Sequence, residues 1–235
     1  MRLTSSQVWA IVGFASLVWL ALSVVGVSSG GGSSVVFSLA DIIPALLFVG
    51  FLHERWLWRH AWFHRSRIIP TPVVIGTWRG ELESFWEHPE THERPPVKTV
   101  YLTIRQTAMT ISVRLLTNES ASEQVGGMVV KDEAGYPAIS YNYRNEPEAR
   151  YRENNVSPIH YGAALLNIVG DPAQRLKGHY WTDRKSHGEF RFCEQNSHIA
   201  QDFAEAETFT YGPPRQVGVL DGLSFITRWI RRAAS

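Results

Sequence analysis

Thr99-Val100-Tyr101-Leu102-Thr103-Ile104-Arg105, followed after Gln106-Thr107-Ala108 by Met109-Thr110-Ile111-Ser112-Val113-Arg114-Leu115, is the stretch that sets the fold class. Val100, Leu102 and Ile104 alternate with Thr99, Tyr101, Thr103 and Arg105. Met109, Ile111, Val113 and Leu115 then alternate with Thr110, Ser112 and Arg114. A period of two gives each strand one buried and one wet face. The three residues between the runs are short enough for a hairpin turn. The pattern returns in Ile139, Tyr141 and Tyr143 against Ser140, Asn142 and Arg144. Working outward predicts eight strands, over 73–86, 97–106, 108–117, 122–131, 137–144, 160–169, 174–184 and 187–194.

Regularly spaced antiparallel strands without interleaved helices imply a sandwich or an up-and-down barrel. Eight strands can close round a small interior, and closure removes exposed edges. Residues 146–159 read as a longer polar connection placed to lid a barrel. Residues 197–208 read as a short helix, with Ile199, Phe203 and Ala206 on one side. In the tail, Leu223, Ile226 and Ile230 share a helical face away from Arg228, Arg231 and Arg232. That tail suits either a membrane surface or packing on the barrel.

The N-terminal region is of another kind. From Leu3 to Leu52 the one charged residue is Asp41. Two apolar runs, Val8–Val27 and Val35–Leu52, flank Ser28-Ser29-Gly30-Gly31-Gly32-Ser33-Ser34. A helix of about 20 apolar residues spans a hydrocarbon core. Unpaired amides cannot end inside lipid, so two helices and a tight loop predict a membrane hairpin. Arg55, Arg59, Arg65 and Arg67 follow the second run, and the loop has no basic residue. The positive-inside rule then places the N-terminus and the β-domain on the cytoplasmic side. Trp56, Trp58 and Trp62 fit an interfacial belt. Asp41 is read either as a helix–helix or pore position, or as a residue snorkelling to the outer interface. The expected organisation is a hairpin over 1–53, a basic and aromatic linker over 54–70, a β-barrel sensor over 71–212 and an amphipathic tail over 213–235.

The chain has 235 residues, a net charge of +1 and one cysteine, Cys193. The charge carries no nucleic-acid signature. A lone cysteine excludes an intrachain disulfide and fits a reducing compartment. No HExxH, GxSxG, P-loop or paired CxxC is present. His88 and His92 share a loop broken by Pro89. His179 and His187 lack carboxylate or thiolate company at ligand spacing. No nucleophile–base–orienter set is visible, so the expectation is a sensor rather than an enzyme, with no metal and no cofactor.

On the seventh strand, Leu176, Gly178, Tyr180, Thr182 and Arg184 share a face that runs from apolar through aromatic and hydroxyl to cation. Tyr141 and Tyr143 occupy the corresponding face of the fifth. Aromatics stack on bases, and Arg offers forked donors to phosphate. The same tyrosines also suit ordinary barrel core.

Gly76-Thr77-Trp78-Arg79-Gly80 and Ser84-Phe85-Trp86 follow the hairpin. Then come Ile104-Arg105-Gln106-Thr107, Leu116-Thr117-Asn118-Glu119-Ser120-Ala121-Ser122 and Ile139-Ser140-Tyr141-Asn142-Tyr143-Arg144-Asn145-Glu146-Pro147. His160-Tyr161-Gly162 and Leu176-Lys177-Gly178-His179-Tyr180-Trp181-Thr182 complete the series. In this order, behind two apolar helices, they resemble the two-transmembrane, β-strand-rich effectors of bacterial cyclic-oligonucleotide antiphage systems (CBASS). These are the CD-NTase-associated, or SMODS-associating, membrane effectors. The likeness covers nearly the whole chain up to about Phe209.

The resemblance implies a membrane helical hairpin joined to an all-β, eight-stranded antiparallel, lipocalin-like up-and-down barrel. It implies a cytoplasmic barrel that binds a cyclic dinucleotide made by a CD-NTase, ligand-driven homo-oligomerisation and disruption of the bacterial inner membrane. The partners expected are that nucleotide, inner-membrane lipids and further copies of the chain, with no polymeric nucleic acid. Expected ligand contacts are Tyr141 and Tyr143 for stacking, Arg184 for phosphate and Thr182 for a hydrogen bond, with Gln106 and His160 at strand ends. Trp78 is expected to plug the barrel, and Asp41 to act in the membrane. The alternative expectation is a membrane-anchored, lipocalin-like carrier or scaffold.

Overall fold

The computed structural model describes residues 72–147 and 159–214, together with residues 46, 49, 50, 53, 54, 57–59 and 149. The chain divides into two compact units, Met1–Pro70 and Thr71–Ser235. Among the described residues, no helix is long and apolar enough to cross a membrane. The expected hairpin, Asp41, most of the 146–159 connection and the tail beyond residue 214 lie outside the described residues, or nearly so.

The second unit is a closed barrel of eight antiparallel strands in sequence order. They are β1 (Gly76–Ser84), β2 (Lys98–Gln106), β3 (Ile111–Leu116), β4 (Ser120–Lys131), β5 (Pro137–Pro147), β6 (His160–Val169), β7 (Arg175–Thr182) and β8 (His187–Asn196). Closure comes from β1 pairing with β8, from Thr77↔Asn196 to Ser84↔Gly188. A barrel, rather than a sandwich, therefore follows from the eight alternating strands.

Two boundaries differ from the expected ones because of specific hydrogen bonds. β3 starts at Ile111 rather than residue 108, because Thr107 Oγ1 accepts from Met109 N (3.4 Å) and Thr110 N (3.0 Å) and holds a turn there. The helix α1 is only Phe203–Thr208, with Asp202 Oδ1 accepting the Glu205 N–H as its N-cap. Residues 197–202 are instead drawn onto the barrel. Thr77 Oγ1 donates to His198 O (2.7 Å) and accepts from Ala200 N (2.9 Å).

The interior is filled by the inward half of each strand. Trp78, Leu102, Ile104, Ile139, Leu166, Leu176, Phe190 and Phe192 are all fully or almost fully buried. Burying each such side chain contributes about 1.5–3 kcal/mol. β2 is buried on its outer face as well. Tyr101 packs there against Phe203 and Tyr211, with ring centroids 5.3 and 5.5 Å away. Arg79, 2.6 Å from Glu194, lies over the Tyr211 ring.

One end of the barrel is sealed. Trp78 is buried there, as a plug, and its indole N–H donates to Val74 O (2.9 Å). The strap Pro72–Val74 is fixed by Gln106, whose Nε2 donates to Pro72 O and whose Oε1 accepts from Val74 N, both at 3.0 Å. Gln106→Ala strips two buried backbone groups of their partner and is expected to cost about 2–4 kcal/mol. Chemical denaturation of the purified protein reads this as a lower midpoint, and an unchanged midpoint would show that the strap is held otherwise.

Candidate functional site

The opposite end carries the β5–β6 connection and the β7–β8 turn, and the polar and aromatic residues gather there. Cross-strand register places Gly127, Tyr141, Ala164, Tyr180, Gly188 and Ser84 in one row round the wall. One step nearer the rim come Gln124, Tyr143, Gly162 and Thr182. His160 stands opposite Asn145 beyond them.

Each inward tyrosine lies against a glycine of a neighbouring strand. A Cβ on Gly127 would meet Tyr141, one on Gly162 would meet the Tyr143 ring and hydroxyl, and one on Gly188 would meet Tyr180. Large rings fit in so narrow a barrel only where the opposing wall has no side chain. Tyr141 and Tyr143 have ring centroids 5.8 Å apart, and Tyr180 continues the aromatic wall to Phe190 at 4.9 Å.

Burial raises the phenol pKa of all three tyrosines above the ordinary 10.0. For Tyr143, the negative charge that Tyr180 and Asp183 would carry adds to the rise. For Tyr180, a hydrogen bond with Ser84 works against it. The site thus presents neutral phenols at every physiological pH.

The expected residues fall into three groups. Tyr143, Thr182, His160 and Arg184 share the end that carries the β5–β6 connection and the β7–β8 turn. Tyr141 belongs to the same wall, one row deeper, and is 2% exposed within the core. Gln106 is at the sealed end, because β2 runs away from the rim, and its carboxamide is spent on the strap.

The seventh strand ends at Thr182 rather than at Arg184. Arg184 therefore sits in an exposed turn instead of continuing the inward face. That turn is firmly built. Thr182 N–H donates to Ser186 O (2.9 Å), their hydroxyls are 2.7 Å apart, and Lys185 has φ 61°. Asp183 ties it to β6 by accepting from Tyr161 N (3.2 Å) and donating its N–H to Tyr161 O (3.0 Å). Arg184 is carried by this turn at the Thr182 end of β7.

Beside this rim lies a groove of about 370 Å³, lined by Asn142, Tyr143, Tyr161, Gly162, Trp181 and Asp183 among others. Tyr161 and Trp181 are half exposed. Sequence reasoning passed over these two outward aromatics, and the sign available was a large ring on the wet phase of an alternating strand. It also passed over Ser84 and Gln124, which continue the inward phase of β1 and β4 with polar side chains. Among the described residues, no three His, Cys, Asp or Glu side chains group to hold a metal ion. What this end offers is aromatic surface, hydroxyl and amide hydrogen bonding and an arginine in the turn. Groups of these kinds are chemically suited to a planar, anionic ligand.

Two comparisons bear on this arrangement. The family model described as Cap15, cyclic dinucleotide receptor domain, matches residues 69–194, just over half of the chain. CD-NTase-associated protein 15 of Staphylococcus schleiferi is 28% identical over 157 residues, which cover 66% of this chain and 77% of that protein.

The raised phenol pKa values fix the sign of an alkaline effect. The unfolded tyrosines ionise near pH 10, whereas the folded ones resist ionisation. Stability from this source is complete below pH 10 and falls as pH rises above it. The melting temperature is therefore expected to drop above pH 10, with tyrosinate absorbance rising in step with unfolding. Titration of all tyrosines in the still-folded protein would contradict the burial described.

Proposed function

From the premise that this chain belongs to the Cap15 cyclic dinucleotide receptor domain family, we propose that it is the effector of a CBASS antiphage system and that its barrel reads a cyclic dinucleotide. The observation that carries this reading is the coincidence of the family match with the barrel itself. Residues 69–194 contain the strap, the plug and all but the last two residues of the eight strands. The relative named CD-NTase-associated protein 15 supports the same reading.

In this proposal the tyrosine end is the ligand site. Tyr143 and, one row deeper, Tyr141 stack on the bases. Arg184 neutralises a phosphate through its forked donors, and Thr182 and His160 supply hydrogen bonds at the rim. The neutral phenols matter here, because a tyrosinate would repel the phosphates it must sit beside. The role is binding rather than turnover.

The output belongs to the other unit. Residues 1–53 form the membrane hairpin, oriented with the barrel on the cytoplasmic side of the bacterial inner membrane. A ligand that binds an assembled state better than the monomer shifts the chain toward assembly. Assembly crowds the hairpins in one plane and disrupts the bilayer, with Asp41 at the contact. Residues 54–70 link the units along the anionic inner leaflet, and 213–235 form the tail. No observation favours the carrier alternative, since Trp78, Leu102, Phe190 and Phe192 fill the space that a lipid would need.

The test is calorimetry on the full-length protein in detergent against a panel of cyclic dinucleotides. At least one is expected to bind, and Arg184→Ala is expected to weaken it by about tenfold or more while leaving the melting temperature in place. Absence of binding across the panel at saturating concentration would remove the ligand from this proposal. In cells that make the nucleotide, Asp41→Asn is expected to abolish growth arrest with ligand affinity unchanged. Persistent arrest would take Asp41 out of the output.

A further inference from the structure

The barrel wall is not joined in the same way all round. Seven of its eight strand neighbours share backbone ladders of six to eleven register pairs. β3 and β4 share a single pair, Leu116↔Ala121, beside their turn. Past that pair, side chains of β4 hold the wall. Ser122 Oγ accepts from Leu115 N at 3.0 Å. Gln124 takes the next two groups of β3, with Oε1 accepting from Val113 N (2.7 Å) and Nε2 donating to Ile111 O (3.0 Å). The carboxamide stands where a peptide unit of a paired strand would stand.

The cause lies in β4 itself. Its register against β5 shifts between Gln124 and Gly126, and Val125 loops out, 68% exposed. Gly126 and Gly127 follow at once, so the strand turns away from β3 where its backbone is least constrained. A ladder opens only by moving two backbones. Past Leu116↔Ala121 this seam is held by three side-chain hydrogen bonds instead.

The seam also touches the aromatic wall. Gln124 is the register partner of Tyr143. A Cβ placed on Gly127 would meet Gln124 Nε2 at 3.0 Å and Tyr141 Cβ at 2.7 Å, so the amide and that tyrosine both lie against one glycine. Tyr141 is buried in the closed barrel, and a base can stack on it only if some part of the wall yields. Every other strand neighbour of the tyrosine row is held by a full ladder.

We propose that the β3–β4 seam is the part of the wall that opens to the ligand, and that Gln124 is its positioning residue. Release of the carboxamide from Val113 and Ile111 lets β4 swing at Gly126-Gly127 and uncovers Tyr141 to a planar base. This rests on the reading of the tyrosine end as a cyclic dinucleotide site.

The experiment uses the full-length protein in detergent, with cyclic di-AMP, cyclic di-GMP and cyclic GMP–AMP as probes. Without ligand, amide-resolved hydrogen exchange is expected to show Val113 and Leu115 exchanging about tenfold or more faster than Ile139 and Leu166 in the laddered wall. Equal protection would overturn the proposal. With the probe that binds, Gln124→Ala is expected to raise the association rate about tenfold, because the open state no longer has to be reached against the latch. The melting temperature falls at the same time, which a purely structural role would also produce, but such a role would not speed association. Gln124→Met loses both hydrogen bonds to β3 while keeping the side-chain length and adding no charge, and is expected to raise the rate in the same way. Association rates equal to or below that of the unaltered protein in both variants would overturn the seam as the opening. If none of the probes binds the unaltered protein, the cyclic dinucleotide reading fails and the ligand role of the seam fails with it. Binding with unaltered rates isolates the failure to the seam.

Discussion

Closure of β8 onto β1 is the constraint from which the rest of the structure follows. Once Thr77 pairs with Asn196 and Ser84 with Gly188, every strand has an inside, and the period-two alternation of the sequence becomes a division between core and solvent. Eight strands leave an interior only wide enough for side chains. Such a barrel has two ends and no free choice about what fills it. At one end the chain spends Trp78 and Gln106 on a seal. At the other it places tyrosines, hydroxyls and a turn that carries arginine.

The tyrosine–glycine pairs show how that second end is made compatible with closure. Tyr141, Tyr143 and Tyr180 are too large for a uniform wall of this radius, and Gly127, Gly162 and Gly188 receive them. The arrangement costs backbone rigidity at the glycines and returns a smooth aromatic face. The same economy explains the β3–β4 seam. Gly126-Gly127 accommodates Tyr141, the strand departs from β3 there, and Gln124 fills the hydrogen-bonding gap left behind. Seat and seam are two results of one local choice in β4.

The barrel was legible because alternation is a local signal with a global meaning. Val100, Leu102 and Ile104 point inward whatever their partners are, and all eight strands were found within a few residues of their ends. The errors arose where a side-chain hydrogen bond, which alternation does not register, decided the matter. Thr107 held a turn where alternation continued through Met109. Thr77, more than a hundred residues away, drew His198 and Ala200 out of the expected helix. Site residues were less legible. Tyr143 and Thr182 share one end, as their face and position imply, whereas Gln106 was grouped with them by treating strand ends as equivalent. Up-and-down order sends alternate ends to opposite rims, and the β2 end belongs with the seal. Gln124 left no trace in the pattern, since its carboxamide works in place of a backbone group.

The seal has a consequence for how the barrel can communicate. Pro72 enters at the sealed end, and Gly212, bridged to Gln195, leaves the barrel wall at the same end. The tyrosine rim lies at the far ends of the same strands, about 30 Å away by the rise of a nine-residue strand. Whatever happens at the rim can be felt at Pro72 only as strain carried lengthwise by β1 and the strands beside it. Gly76, Gly80 and the register shift after Arg79 are the compliant points on that path. A stiffer β1 would make a more durable container and a poorer transmitter.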